Sequence, residues 1–195
     1  MATQQRVNVS PTTDEDRAIA TITMAFSNDP VARWFLRDAN LYLTYWPRVV
    51  KAAGGAAFGE GTADSTDDCG AVALWLPPDV GPDEDTMGTL AAEAVPAADQ
   101  DEAFAFMDQQ GEFHPTEPHW YLPLIGVDVT KQGHGYGSAL LRHALERCDR
   151  DGLPAHLEAS SPRNKALYER HGFEALGVIQ SGSSPPMWPM QRKPR

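Results

Sequence analysis

The chain has 195 residues, with 27 acidic against 16 basic side chains, a net charge of −11 and a pI near 4.8. That length suits one domain with a core large enough to need no disulfide or metal staples, and apolar and charged fractions of 42% and 22% are those of a folded chain. The acidic balance disfavours phosphate backbones and favours cationic small molecules, and no apolar run reaches the ~18 residues of a membrane span.

Met1–Arg6 carries no apolar stretch of the kind that follows the basic start of a secretory signal. The two cysteines, Cys69 and Cys148, lie far apart and read as free thiols of a reducing compartment. A cytoplasmic protein, monomer or homodimer, with no nucleic-acid or membrane partner, is the expectation.

Val7–Val9 is a short strand ending at Ser10-Pro11. Thr12 and Thr13 ahead of Glu15 and Asp16 form a Ser/Thr-x-x-acid helix start. Ile19, Ile22 and Phe26 follow at helical spacing. Asn28-Asp29-Pro30 breaks that helix and begins another carrying Trp34 and Phe35. A third helix holds Leu41, Tyr42, Tyr45, Trp46 and Val49.

Ala56–Gly59 and Gly70–Leu76 read as two strands joined by the polar connection Glu60–Asp68, and Pro77-Pro78 ends the second. Residues 81–113, acidic and Ala-rich, read as two helices around Pro96. Trp120–Val129 is a long strand. The Gly-rich turn Lys131–Gly137 then leads into an amphipathic helix with Leu140, Leu141, Ala144, Leu145 and Cys148 on one face, capped by Gly152. The strand Ala155–Ala159 is followed by Ser160-Ser161-Pro162, an N-cap and first-turn proline for a helix through His171. Phe173–Ile179 and Met187–Gln191 close the chain as strands. No repeat and no linker divides it, so one domain over 1–195 is expected.

Chemistry concentrates in the last eighty residues. Strand, glycines, then helix is a general solution for holding a phosphate, because glycines admit the ligand to the backbone and free helix N–H groups point at it. Gly133, Gly135 and Gly137 exceed what a tight turn needs. No Lys follows them as a P-loop requires. Gly133-x-Gly135-x-x-Ser138 with Glu158 ending the next strand is close to a dinucleotide fingerprint, but too little chain follows for a doubly wound sheet.

The series Val127-Asp128-Val129-Thr130-Lys131-Gln132-Gly133-His134-Gly135-Tyr136-Gly137 resembles the acetyl-CoA signature of the GCN5-related N-acetyltransferases (GNAT), Gln/Arg-x-x-Gly-x-Gly/Ala. Leu157-Glu158-Ala159-Ser160, then Asn164, Tyr168 and Gly172-Phe173, match that family's second block in order and spacing. Over roughly residues 114–194 the likeness is closer to puromycin N-acetyltransferase and its antibiotic- or xenobiotic-modifying relatives, on Trp120-Tyr121, Pro162-Arg163-Asn164 and Met187–Pro194. The departure is Val129-Thr130, where relatives often place a proline.

The resemblance implies an α/β (α+β) acyltransferase fold: a mixed, mostly antiparallel sheet of six or seven strands with flanking helices. Residues 1–113 would supply the acceptor side and 114–195 the acetyl-CoA-binding and catalytic part. It implies acetyl-CoA as co-substrate, a strand at Ile125–Val129 that splays at a bulge, for which Gly126 is convenient, and backbone N–H groups of Gly133–Ser138 on the pyrophosphate. Val127, Asp128, Val129, Gln132, Gly133, His134, Gly135, Tyr136, Gly137, Ser138, Asn164 and Tyr168 would bind the donor, with Lys131 and Arg142 adding charge nearby.

Direct attack by an amine needs a neutral nitrogen, a polarised carbonyl and a proton for the departing thiolate. In the family the tyrosine at the place of Tyr168 is that acid. Glu158 is the candidate base or else a partner for Arg163 or Arg170, and His119 and Tyr121 are other candidates. The histidines at 114, 119, 134, 143, 156 and 171 show no metal-ligand spacing in sequence, so no metal is expected. Cys148 reads as inert core. Trp34, Phe35, Tyr42, Tyr45 and Trp46 are candidate acceptor walls, with acids from 83–85 and 101–102 as counter-charges.

The activity so implied is acetyl transfer to a primary amine of a small molecule. A peptide or protein N-terminal acetyltransferase and a non-catalytic acyl-CoA-binding module are the alternatives.

Overall fold

The computed structural model describes residues 7–66 and 68–195. In chain order the elements are β1 (Val9–Pro11), α1 (Glu15–Ala25), α2 (Pro30–Phe35), α3 (Ala39–Gly54), α4 (Ala56–Gly59), β2 (Ala63–Thr66), β3 (Ala71–Leu76), α5 (Glu84–Ala94), α6 (Gln100–Phe113), β4 (Trp120–Val127), α7 (Tyr136–Asp151), β5 (Ala155–Ala159), α8 (Pro162–Arg170), β6 (Glu174–Ala175) and β7 (Trp188–Arg192). A single 3₁₀ turn, Ala97–Asp99, joins α5 to α6 after Pro96. The strands form one seven-stranded sheet in the order β1-β2-β3-β4-β5-β7-β6. All neighbours are antiparallel except β4 and β5. The mixed, mostly antiparallel sheet flanked by helices is thus as expected.

β3 is buried on both faces, which is why Ala71–Leu76 is a continuous apolar run rather than an alternating one. Val72, Leu74 and Leu76 pack with α1 and α3 through Ile22, Trp46 and Val50. Ala71, Ala73 and Trp75 face the other way, onto Leu140, Leu141, Ala144 and Cys148 of α7. Gly126 of β4 meets α1 so closely that a Cβ there would lie 3.0 Å from the Ile22 Cα and the Ala25 Cβ. The glycine serves helix–sheet approach, not a bulge.

Three local readings are corrected. Ala56–Gly59 is a helical turn continuing from α3, as its alanines favour. The partner of β3 is instead Ala63–Thr66, a polar segment whose four side chains are all buried. That burial is possible because Asp64, fully enclosed, accepts a hydrogen bond from Arg147 at 2.9 Å and has His143 at 3.6 Å, both on α7. At α1 the N-cap is Asp14, which accepts from the Arg17 N–H; Thr12 only caps Asp14 in turn. The closing strand is reduced to Glu174–Ala175 plus one bridge, Ile179 to Met187.

The first strand begins only at Val9 and runs through Ser10 and Pro11, where the sequence pattern ends it; the remaining boundaries agree closely. α7 ends on Gly152 in the left-handed region (φ 69°), and α8 starts from Ser161, whose hydroxyl accepts from the Asn164 N–H. No described helix is long and apolar enough to cross a membrane.

Candidate active site

β4 and β5 pair only through Trp120–Ala155, Tyr121–His156 and Leu122–Leu157, then part. Pro123, which has no N–H, stands where they separate. The register of β4 against β3 slips at the same place: Leu76 opposes Tyr121, whereas Leu74 opposes Leu124, so β4 carries one extra residue. The splay is therefore present, but its bulge lies at Leu122–Pro123, not at Gly126.

Beyond it, the Asp128 N–H donates to the carbonyl of Gly70, just ahead of β3. Antiparallel alternation then turns the N–H and C=O of Ile125 and Val127 toward the gap. The Val127 carbonyl is taken there by the Gln132 side-chain amide at 3.2 Å, and Arg163 in turn donates to Gln132 Oε1 at 3.2 Å. The two N–H groups stay available to an extended ligand.

Next comes the glycine turn. Gly133 and Gly135 have φ of 79° and 87°, the left-handed region that excludes most side chains. Gly135 is the N-cap of α7 and offers no side chain, so the first N–H groups of a sixteen-residue helix point outward uncapped. They open on a cleft of about 330 Å³ whose walls include Val127, Gln132, Gly133, Gly135, Tyr136, Gly137, Ser138, Asn164 and Tyr168. Lys131, Arg163 and Arg170 line it too, against one acid, Asp29. Of the donor-binding candidates, Asp128, Val129 and His134 are not on its walls. Asp128 caps the turn by accepting from Thr130 N–H and hydroxyl, Val129 is exposed, and His134 folds onto the Gln132 carbonyl. Arg142 is absent as well.

On the other side of the splay lies a larger cavity of about 910 Å³. Phe35, Tyr45 and Trp46 line it as expected; Phe26, Phe106 and Tyr121 join them. Trp34 instead donates to Ser183 Oγ, and the Tyr42 hydroxyl donates to Thr23 O at 2.6 Å. Five carboxylates border the cavity, Asp29, Glu84, Asp108, Glu112 and Glu158, and no Lys or Arg among the described residues does.

The two spaces meet. Phe26, Asp29, Ile125, Asn164 and Tyr168 line both. Tyr168 is 4% exposed, and its hydroxyl has no hydrogen-bond partner among the described residues. Burial, then the negative charges of Asp29 and Glu158, push its pKa up, so it stays protonated.

Asp29, at the break between α1 and α2, also enters the site. Its Oδ1 accepts from the N–H groups of Val31 and Ala32, and its Oδ2 accepts from the Ser160 hydroxyl. Burial raises its pKa despite those bonds. The Asn-Asp-Pro cap signal located it, but only the fold brings α2 against the end of β5.

Glu158 pairs with neither arginine. Its Oε2 accepts from the Tyr121 hydroxyl at 2.9 Å, and its Oε1 lies 3.1 Å from His156 Nε2. His114 and His119 gather beside them, 3.2 Å apart through their Nε2 atoms. Burial depresses both imidazoles, His114 to about 4. One ligand atom each of His114, His156 and Glu158 lies within 4.8 Å of the others. The sequence spacing gave no sign of this group, because its members come from a loop and a strand. Cys148, pushed up to about 12 by burial, is inert as expected.

A splayed parallel pair, an uncapped glycine-turn helix and a cationic cleft together make a site suited to an extended, phosphate-bearing ligand. The model of the acetyltransferase (GNAT) family matches residues 69–173. The chain belongs to that family. Over 78 residues it is 35% identical to an uncharacterized N-acetyltransferase of Schizosaccharomyces pombe, a match covering 38% of this chain and 32% of that protein's length. Among solved structures it is similar to a histone acetyltransferase HPA2 and related acetyltransferase from Corynebacterium glutamicum, with 26% identity, TM-score 0.69 and 97% of each chain covered. Arylalkylamine N-acetyltransferase 2 of Aedes aegypti shares the fold, with TM-score 0.67 at 10% identity over 98% of this chain and 100% of that one. None of these relatives carries the puromycin-modifying name.

Proposed function

We propose that the chain transfers acetyl from acetyl-CoA to the primary amine of a small cationic molecule with an apolar body, as antibiotic- and xenobiotic-modifying enzymes do. The observation that carries this is the meeting, at Tyr168 and Asn164, of a cationic cleft with an apolar, carboxylate-rimmed cavity. The basic cleft with its helix N-terminus suits the pyrophosphate of the donor. The cavity suits an ammonium on an aromatic or aliphatic frame, because a concentration of carboxylates draws cations and aromatic faces hold them. On this reading residues 1–113 supply most acceptor walls, within one domain.

The donor's pantetheine arm would lie along the freed edge of β4 and the thioester would reach Tyr168. The N–H groups of Ile125 and Val127 face that arm, and one of them would polarise the acetyl carbonyl. Val127, Gln132, Gly133, Gly135, Tyr136, Gly137, Ser138 and Asn164 would hold the donor. Asp128, Val129 and His134 would shape the turn rather than touch the ligand. Glu158 takes a proton from the ammonium; the free amine attacks the carbonyl carbon and the C–S bond breaks. Tyr168, hydrogen-bonded to the departing sulfur, gives it a proton as it takes one from the acetylated nitrogen. Thiol, amide and one proton are the products.

Incubation with acetyl-CoA and a broad panel of primary amines tests this, with thiol release and product mass as readouts. N-acetylated amine and thiol in equal amounts are expected. No amine-dependent thiol release across the panel, while acetyl-CoA still binds, would instead mark a non-catalytic acyl-CoA-binding protein.

A further inference from the structure

We infer that the cluster His114–His119–His156–Glu158 is a binding site for a zinc-class divalent cation, independent of the assignment of the acceptor. The donor chemistry selects the metal. Imidazole nitrogens with one carboxylate suit Zn²⁺ and its d-block neighbours, whereas Mg²⁺ and Ca²⁺ require mostly oxygen ligands. One ligand atom of each of His114, His156 and Glu158 already falls within 4.8 Å of the others.

The shorter spacings fit a tetrahedral ion. Bonds of about 2.0–2.1 Å place neighbouring ligand atoms roughly 3.3 Å apart. His156 Nε2 and Glu158 Oε1 are 3.1 Å apart, and His114 Nε2 and His119 Nε2 are 3.2 Å apart. The separations within the group, up to 4.8 Å, would close by as much as about 1.5 Å, within the reach of small side-chain rotations.

His119 is also oriented for the task. Its Nδ1 lies 2.7 Å from the Glu117 carbonyl, which can only accept, so the ring proton sits on Nδ1. That leaves a lone pair on Nε2, directed at the cluster, with a backbone carbonyl fixing the tautomer as metal-bound histidines require. The site has an entrance, because His114 and Glu158 both line the large cavity. Tyr121 would remain a neighbour on Glu158 Oε2. A bound cation would thus occupy the polar end of the space assigned to the amine.

The test uses the full chain stripped with a chelator and titrated with ZnCl₂ against a chromophoric competitor. One equivalent should bind, with MgCl₂ unable to displace it. His114→Ala and Glu158→Gln should each weaken binding by at least about tenfold, while His143→Ala, beside Asp64 on α7, leaves it unchanged. X-ray absorption at the zinc edge of the unaltered protein should show nitrogen and oxygen ligands with imidazole scattering. That readout does not depend on how the variants fold. No stoichiometric binding, binding unaffected by both variants, or sulfur ligation would each overturn the assignment.

Discussion

Tyr168→Phe removes one oxygen from the junction of the two cavities. Because that hydroxyl bonds to nothing among the described residues, its loss leaves no buried donor or acceptor stranded. Global stability should therefore change by less than about 1 kcal/mol. The catalytic effect is of another size. Burial and the nearby charges of Asp29 and Glu158 raise the phenol's pKa, making it a weak acid toward a thiolate of ordinary pKa about 8.5. Its contribution is then that of one hydrogen bond to charge developing on sulfur, about 1.5–3 kcal/mol. Turnover should fall by one to two orders of magnitude, about 1.4–2.7 kcal/mol. The acetyl-CoA affinity should be little changed, since the turn and α7 are untouched. Stopped-flow thiol release at saturating amine measures turnover, and titration calorimetry measures donor binding. Unchanged turnover would remove Tyr168 from the chemistry; lost donor binding with unchanged kcat would make it a wall of the cleft.

Three other outcomes follow from the packing. Gly126→Ala drives a methyl against the backbone of α1 and should cost about 1–3 kcal/mol in urea denaturation; a change within 0.5 kcal/mol, the size of an ordinary surface substitution, would show that α1 can shift freely. Arg147→Ala leaves Asp64 buried without its guanidinium and should cost about 3–5 kcal/mol, partly restored by Asp64→Ala in the same chain; additive losses would show that the pair is not coupled. Asp29 has a folded pKa raised above the ordinary 3.8, so the stability it contributes is full below that value and declines as pH rises through the folded pKa. Asp29→Asn keeps an accepting oxygen for α2, and its stability relative to the parent should grow with pH across that window; a pH-independent difference would refute the raised pKa.

Elements with local causes were legible in the sequence: the cap-and-proline start of α8, the apolar stripe of α7 and its Gly152 stop, and the continuous apolar run of β3. β2 was not, because Asp64, Ser65 and Thr66 look like a loop until α7 supplies Arg147 and His143 across the chain. The donor side of the site could be read because a glycine turn and helix start are contiguous. On the acceptor side the aromatic walls Phe35, Tyr45 and Trp46 could be read as well, but not the polar end. Asp29, His114 and the β5 pair His156 and Glu158 come from three separate parts of the chain, and neither their proximity nor the large cavity has a periodicity to betray it. A glycine in a strand suggests a bulge at Gly126, whereas Pro123 breaks the ladder and Gly126 admits a helix.

The most direct measurement compares kcat/KM, by thiol release, for an arylalkyl primary amine and for the same amine bearing an added carboxylate. Five carboxylates and no described Lys or Arg border the proposed acceptor cavity. The cationic amine should be preferred by at least about tenfold, or 1.4 kcal/mol, and the preference should shrink with added salt. Equal use of the two, or preference for the carboxylate-bearing amine, would contradict a cationic small-molecule acceptor.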